Sequence, residues 1–325
     1  MKSYKIELIS NFDTRLPSNC YLSNLYAFFS TFYSDADLLF STVNSMFEGP
    51  GLTLDKSDID FVDNHFSRLI GLKSEWKQLY FDGEMSHGKF ESILSDAFGD
   101  RYDSQVFGMS IPESFVKYRQ DLKNDAELSH YHYFLASYCY KNKKVKIFDV
   151  AKVNELSRPA ALSICDLEVF NSESPYYIYV NNIIGLLDEL KERCSNEEMK
   201  NFISLRCEDS FEFISSRVRE EMLNSEGFDS AFAMFSNLSR TSFCYFDYVK
   251  NESKKSMFSE VVDSIEKIYV LISEIRRLFY KASFTNSIDK AFILRGEVFF
   301  KLDLLLELES LVYDFYLTSI KLRNI

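Results

Sequence analysis

The residues best suited to covalent chemistry in this chain are drawn from six cysteines and four histidines. Cys20 follows Pro17-Ser-Asn and stands where a predicted helix begins. Because the first turn of a helix carries partial positive charge and unpaired N–H groups, a cysteine there is favoured as the thiolate, and the same turn can hold an oxyanion. Cys20 is therefore the candidate nucleophile, and the alternative is an ordinary buried cysteine.

A general base for Cys20 has to come from a distant part of the chain. His132 opens a predicted strand rich in aromatic residues, and Asp149 closes the next predicted strand, with a lysine-rich turn between them. Strand ends joined by a turn lie side by side, so the carboxylate could orient the imidazole. His130 stays open as an alternative base, because strand alternation puts it on the same face as His132.

Other candidate ligands and donors are few. Asn11 and Asn19 are candidate oxyanion donors, with turn or capping roles as the alternative for each. No two cysteines are closer than 13 residues, so the paired spacing of a structural zinc site is missing. We expect no metal and no resident cofactor.

Three segments of the chain resemble a known family of cysteine enzymes. His132-Tyr-Phe-Leu-Ala-Ser-Tyr-Cys-Tyr and Val145-Lys-Ile-Phe-Asp149 resemble the His and Asp strands of C39-type and related papain-fold domains. Pro17-Ser-Asn-Cys20-Tyr-Leu-Ser-Asn-Leu is similar to the nucleophile segment of the family of butirosin-biosynthesis protein H. The helical C-terminal half also resembles the second domain of that family.

The resemblance implies an acyltransferase of natural-product biosynthesis. Cys20 would take an acyl group from the phosphopantetheine thioester of an acyl carrier protein and pass it to a small amine. His132 would be the general base and acid, and Asp149 would orient it. The cluster Lys141, Lys143, Lys144 and Lys146 is the candidate docking patch for an acidic carrier protein.

The same three residues would also serve other reactions. Transfer to water would make the protein a thioesterase or amidase, and attack on a peptide bond would make it a cysteine peptidase. C39-type peptidases place a Gln six residues before the cysteine, and Thr14 stands there in this chain, which disfavours peptidase activity. The alternative without catalysis is a scaffold that binds a carrier protein or another partner through its helical half.

The elements that must position these residues fall into two parts. All five prolines precede residue 176, and the apolar positions after residue 258 recur at steps of three and four, which is typical of amphipathic helices. We therefore predict an α+β class, with a papain-like (C39-like) domain over 1–178 and an all-helical domain over 179–325. The predicted strands are 4–9, 131–140, 145–150 and 176–180; the predicted helices are 21–33, 181–194, 197–223, 228–250, 258–279 and 287–308.

Composition limits the classes of partner. The apolar fraction of 46% supplies a sizeable core, and 37 basic against 49 acidic residues give a net charge of −12. Such a surface does not suit nucleic acid, and anionic membranes should repel it. Neither a secretion signal nor a membrane-spanning run is expected, and scattered cysteines suit a reducing compartment, so we predict a cytoplasmic protein. A homodimer is left open.

Overall fold

The fold is mixed α+β and divides into two compact units. The computed structural model describes residues 4–9, 20–34, 36–41, 67, 71, 75–99, 105–112, 131–149, 152–153, 156–157, 161–171, 175–194, 201, 213–224, 228–255, 257–285 and 287–323. Unit 1 comprises Met1–Ala36 and Leu54–Asn196, and unit 2 comprises Asp37–Thr53 and Glu197–Ile325.

Unit 1 is built on a six-stranded antiparallel sheet with the order β1-β8-β2-β3-β4-β7. Its strands are β1 (Trp76–Phe81), β2 (Val106–Pro112), β3 (Tyr131–Cys139), β4 (Lys144–Asp149), β7 (Ala161–Cys165) and β8 (Tyr176–Asn181), and a separate pair is formed by β5 (Lys152–Val153) and β6 (Leu156–Ser157). The helices of unit 1 are α1 (Cys20–Phe32), α3 (His87–Phe98) and α4 (Ile183–Arg193), with 3-10 turns at Ile6–Leu8 and Leu167–Phe170. Helix α2 (Ala36–Ser41) begins at the last residue of the first segment of unit 1 and continues in unit 2.

Helices cover the sheet of unit 1. Phe90 and Leu94 of α3 pack in one buried cluster with Phe134 of β3 and Ile147 of β4. Helix α1 packs against β3 and β4, and α4 packs against β2. Strands β2 and β3 are therefore central and almost wholly buried, which makes β3 a rigid support for any side chain it carries.

Unit 2 is helical in its described residues beyond 197. Its helices are α5 (Ile214–Asn224), α6 (Asp229–Lys255), α7 (Ser259–Ser283) and α8 (Ile288–Arg323). Helices α7 and α8 form a long hairpin whose apolar stripe includes Ile265, Ile268 and Ile272 of α7. Each of these side chains is buried, as the step of three and four predicts.

A buried carboxylate joins two helices of unit 2. Glu309 of α8 is 1% exposed and accepts hydrogen bonds from the backbone N–H groups of Ile214 and Ser215, at 3.0 and 3.1 Å, and from the Ser215 hydroxyl at 2.5 Å. It therefore satisfies N–H groups that the first turn of α5 leaves unpaired. Burial raises the pKa of Glu309 to about 7 against the lowering effect of these hydrogen bonds.

The predicted elements are confirmed in the two strands that frame the candidate site, in β8, and in helices α1, α4, α6, α7 and α8. The predicted strand at 4–9 is wrong, because Ile6–Leu8 forms a 3-10 turn. Ile6 and Ile9 are the buried residues there, three apart, while Leu8 is exposed. That spacing matches the period of a 3-10 helix and not the alternation of a strand.

The expected domain boundary at 178 falls inside β8 (Tyr176–Asn181). In the structure, β8 pairs with β1 and β2, and α4 follows it within unit 1, so the division between the compact units comes at Asn196. Part of the predicted helix 197–223 also appears, as α5 (Ile214–Asn224), and residues 202–212 lie outside the described residues.

Candidate active site

The structure brings His132 and Asp149 into direct contact. In the register of β3 and β4, Leu135 pairs with Phe148. Continuing this register by one residue places Asp149 opposite Phe134. His132 lies two residues before Phe134, so its side chain and that of Asp149 are on the same face of the sheet. The His132 Nε2 atom lies 2.8 Å from Asp149 Oδ2, and both residues are only 4% exposed. The sheet register, fixed by the whole hairpin, therefore holds the pair.

The contact assigns roles to the two nitrogens of His132. A carboxylate accepts hydrogen bonds, so the Nε2–H group donates to Asp149. In the neutral imidazole the other nitrogen, Nδ1, is then the proton acceptor. In this arrangement Asp149 fixes the tautomer of His132, and Nδ1 is the ring nitrogen through which the imidazole could accept a proton.

Asn24 of α1 is the partner that the sequence analysis missed. Its Nδ2 group donates to the carbonyl oxygen of Tyr133 at 3.0 Å and to Asp149 Oδ1 at 3.4 Å, and the residue is fully buried. Tyr133 lies beyond Leu135 and Phe148, the last pair described between β3 and β4. Its carbonyl oxygen accepts a hydrogen bond from Asn24 of α1 instead. Each oxygen of the Asp149 carboxylate therefore accepts one N–H group.

Helix α1 begins at Cys20, one turn before Asn24. Residues four apart on a helix lie on one face, about 6 Å apart along the axis. The first turn of α1 has no acidic residue, so no side chain of that turn neutralises the positive end of the helix. The structure describes the backbone of Cys20, and its side chain lies outside the described part.

On the face of β3 opposite to His132, aromatic rings pack α1 against the sheet. The Tyr21 ring packs edge-on against Tyr133 at 4.7 Å between centroids, and Trp76 of β1 packs against both rings. The Tyr133 hydroxyl donates to Asn181 Oδ1 at 3.2 Å. These contacts, like those of Asn24, fix the start of α1 with respect to β3.

Further sequence candidates lie outside the described residues: Asn11, Asn19 and His130. Among the described cysteines, Cys139 and Cys165 are free thiols. Burial raises the pKa of Cys165 to about 12, with a smaller contribution from Asp166 in the same direction. Cys165 is therefore a poor thiolate near neutral pH.

Three of the four clustered lysines lie at the opposite end of the β3–β4 hairpin from the candidate site. Cys139 lies seven positions after His132 on extended β3, about 23 Å away. Lys141, Lys143 and Lys144 follow Cys139 at that end of the hairpin, whereas Lys146 lies three positions before Asp149 on β4. Lys144 pairs with Asp166, and Lys146 pairs with Glu7. The cluster as a whole therefore does not lie beside the candidate site, and its role in docking a carrier protein stays a prediction.

No group of three or more His, Cys, Asp or Glu side chains that could hold a metal ion occurs among the described residues. Within that same part of the chain, no helix combines the length and apolar character needed to cross a membrane.

Comparisons with protein-family models, with curated proteins and with solved structures give no match to this chain. The candidate site is therefore defined by its geometry alone. It is a buried His–Asp pair on neighbouring strands, hydrogen-bonded to an asparagine one turn after Cys20, the first residue of α1.

Proposed function

We propose that this protein is a cysteine-dependent acyltransferase of papain-like design, with Cys20 as the nucleophile, His132 as general base and acid, and Asp149 as the residue that orients His132. One observation carries the proposal. The buried His132–Asp149 pair is hydrogen-bonded to Asn24, one turn from Cys20 at the start of the same helix.

A purely structural role explains this arrangement less well. Burying an aspartate and a histidine together is costly, and apolar residues of similar volume usually stabilise a core as well or better. Here the pair lies at a strand end and is hydrogen-bonded to Asn24, one turn after the cysteine that begins α1. Those are the conditions that favour a thiolate and supply N–H groups for an oxyanion.

The proposed reaction has two steps. In the first, His132 takes the proton of Cys20, the sulfur attacks the carbonyl carbon of a thioester, and the carbon–sulfur bond to the donor breaks as His132 returns the proton to the leaving thiol. In the second, an amine attacks the acyl-Cys20 carbonyl, His132 accepts the amine proton, and the regenerated Cys20 thiolate leaves.

The donor and acceptor rest on the family resemblance of the Cys20 and His132 segments. A phosphopantetheine thioester on an acyl carrier protein is the proposed donor, and a small amine is the proposed acceptor. Hydrolysis of the same acyl-enzyme would instead make a thioesterase, since the choice between amine and water depends on the pocket around the acyl group.

The test is intact mass of the protein after incubation with simple acyl thioesters. We expect an adduct of one acyl group that disappears in Cys20→Ala and remains in Cys139→Ala, the control thiol at the far end of β3. Adding amines should discharge the adduct. An adduct that persists in Cys20→Ala, or a folded wild type that forms none with any thioester tested, contradicts the proposal.

A further inference from the structure

The turn between α7 and α8 exposes an unusual amount of apolar surface. We define the hairpin tip as residues 277–285 and 287–293. Five large apolar or aromatic side chains of this tip are between 59 and 87% exposed: Tyr280, Phe284, Ile288, Phe292 and Ile293. Single exposed apolar residues are ordinary, but contiguous apolar surface on a protein marks an interaction site.

The charge of the hairpin tip is opposite to that of the protein. Arg277, Lys281 and Lys290 are exposed cations, and Asp289 is the one acid of the tip. None of the three cations forms an ion pair with another described residue. Lys281 and Lys290 border a shallow groove that Phe284 and Ile293 also line. In a chain with net charge −12, this is a local basic surface around an apolar centre.

We infer that the hairpin tip docks on an anionic lipid surface. Exposed apolar side chains bordered by cations match the boundary between acyl chains and negatively charged headgroups. Tyr280 has the amphipathic ring that favours this boundary. The acidic remainder of the protein opposes approach only weakly, since charges are screened beyond about 8 Å at physiological ionic strength.

The apolar surface further along the same hairpin does not share this character. Val270 and Leu304 are exposed there beside Glu266, Lys267 and Glu307, so acids border the apolar residues as well as a base. Leu304 lies twelve residues beyond Phe292 on α8, about 18 Å along the helix. This second surface provides a matched control for the tip.

The experiment is co-sedimentation of the full chain with phosphatidylcholine vesicles, with and without phosphatidylserine, at low and high salt. We expect binding to the anionic vesicles that high salt weakens. Phe284→Ser/Phe292→Ser and Lys281→Gln/Lys290→Gln should each weaken binding at least about tenfold, while Val270→Ser/Leu304→Ser binds as wild type. Unchanged circular dichroism spectra would show that the exposed substitutions leave the fold intact.

Three results would overturn the inference. They are no binding to anionic vesicles at low salt, equal loss in the control variant, and equal binding to phosphatidylcholine alone. Sedimentation equilibrium adds a fourth: if wild type self-associates, Phe284→Ser/Phe292→Ser abolishes the association, and no vesicles are bound, then a second copy of the chain and not a lipid surface covers the tip.

Discussion

At the scale of single residues, Asp149 is the centre of the candidate site because it accepts hydrogen bonds from two elements at once. His132 donates to one carboxylate oxygen from β3, and Asn24 donates to the other from α1. A buried carboxylate costs several kcal/mol unless such donors compensate it. Removing one donor should therefore affect both stability and the orientation of the other.

We predict that Asn24→Leu lowers the free energy of unfolding by about 1–3 kcal/mol, because the Tyr133 carbonyl and one Asp149 oxygen lose their donor in a buried place. Urea denaturation followed by Trp76 fluorescence measures this effect. Ser30→Ala is the control, since Ser30 is exposed on the same helix and bonds only within it. An equal, small effect of both substitutions would contradict the role given to Asn24.

Proton transfer by His132 leads to a second prediction. We expect His132→Ala and Asp149→Asn to slow acylation of Cys20, His132→Ala by about 10²–10⁴-fold, the usual contribution of a positioned base. Initial rates of adduct formation by mass spectrometry give the comparison. His87→Ala is the control, because His87 contacts Tyr138 at the other end of β3. Rates that stay at the wild-type level in His132→Ala would exclude it as the base.

The sequence predicted the proximity of His132 and Asp149 but not the contribution of Asn24. A hairpin fixes which strand ends meet, so residue types and spacing sufficed for the pair. Asn24 required knowing that α1 packs against the end of β4. A usable signal was present, namely an amide side chain four positions after Cys20 in a largely apolar helical segment.

At the scale of elements, the close approach of β2, β3 and β8 depends on Gly108. A Cβ atom at this position would lie 2.0 Å from the Tyr133 hydroxyl oxygen and 1.9 Å from Asn181 Oδ1. Because those two side chains are buried and hydrogen-bonded to each other, the added methyl group would have to displace both of them within the packed sheet. Gly108 therefore lets Tyr133 of the His132-bearing strand pack where it does.

We predict that Gly108→Ala destabilises unit 1 by about 1–3 kcal/mol, the usual cost of overpacking. Gly88→Ala is the matched control, because nothing lies within 4 Å of the added methyl group and the position is helical. It should leave stability unchanged or raise it by up to about 1 kcal/mol. Thermal unfolding of both variants decides the matter, and a harmless Gly108→Ala would refute the packing argument.

Elements whose apolar residues recur at the spacing of a helix or a strand were predictable from the sequence, and elements without such a recurrence were not. Helices α7 and α8 and strands β3 and β4 followed from their apolar pattern. Strand β2 (Val106–Pro112) was missed because every residue in it is buried, so it shows no alternation, and its glycine and proline suggest a turn. Edge strand β1 was missed for a different reason: only Phe81 of its six residues is buried, so its burial shows no alternation.

At the scale of the whole molecule, the two units carry different reporters of stability. Trp76, the one tryptophan of the chain, belongs to β1 of unit 1. Glu309 belongs to unit 2, where burial raises its pKa to about 7. Tryptophan fluorescence therefore follows the sheet that carries the candidate site, and the pH dependence of helix unfolding reports on Glu309.

We predict that unit 2 loses stability as pH rises from about 4.5 to about 7. The folded protein holds the Glu309 proton more tightly than the unfolded chain does, so stability from this group is complete below 4.5 and is lost as the pH passes through 7. The full change is on the order of 3 kcal/mol.

Urea denaturation followed by circular dichroism at several pH values measures this dependence. Glu309→Gln should remove the slope between those pH values. Glu307→Gln, which removes an exposed carboxylate from the same helix, should retain it. Stability that rises over this range, or a slope unaffected by Glu309→Gln, would contradict the prediction.

The most direct test of the central claim is the pH dependence of alkylation of Cys20 by iodoacetamide, followed by peptide mass spectrometry in wild type and His132→Ala. If a helix start and an imidazole together favour the thiolate, Cys20 will react well below pH 8 in wild type and faster than Cys139. In His132→Ala its profile will move toward that of an ordinary thiol, with a midpoint near about 8.5. A Cys20 whose profile matches Cys139 and does not change in His132→Ala would contradict the account.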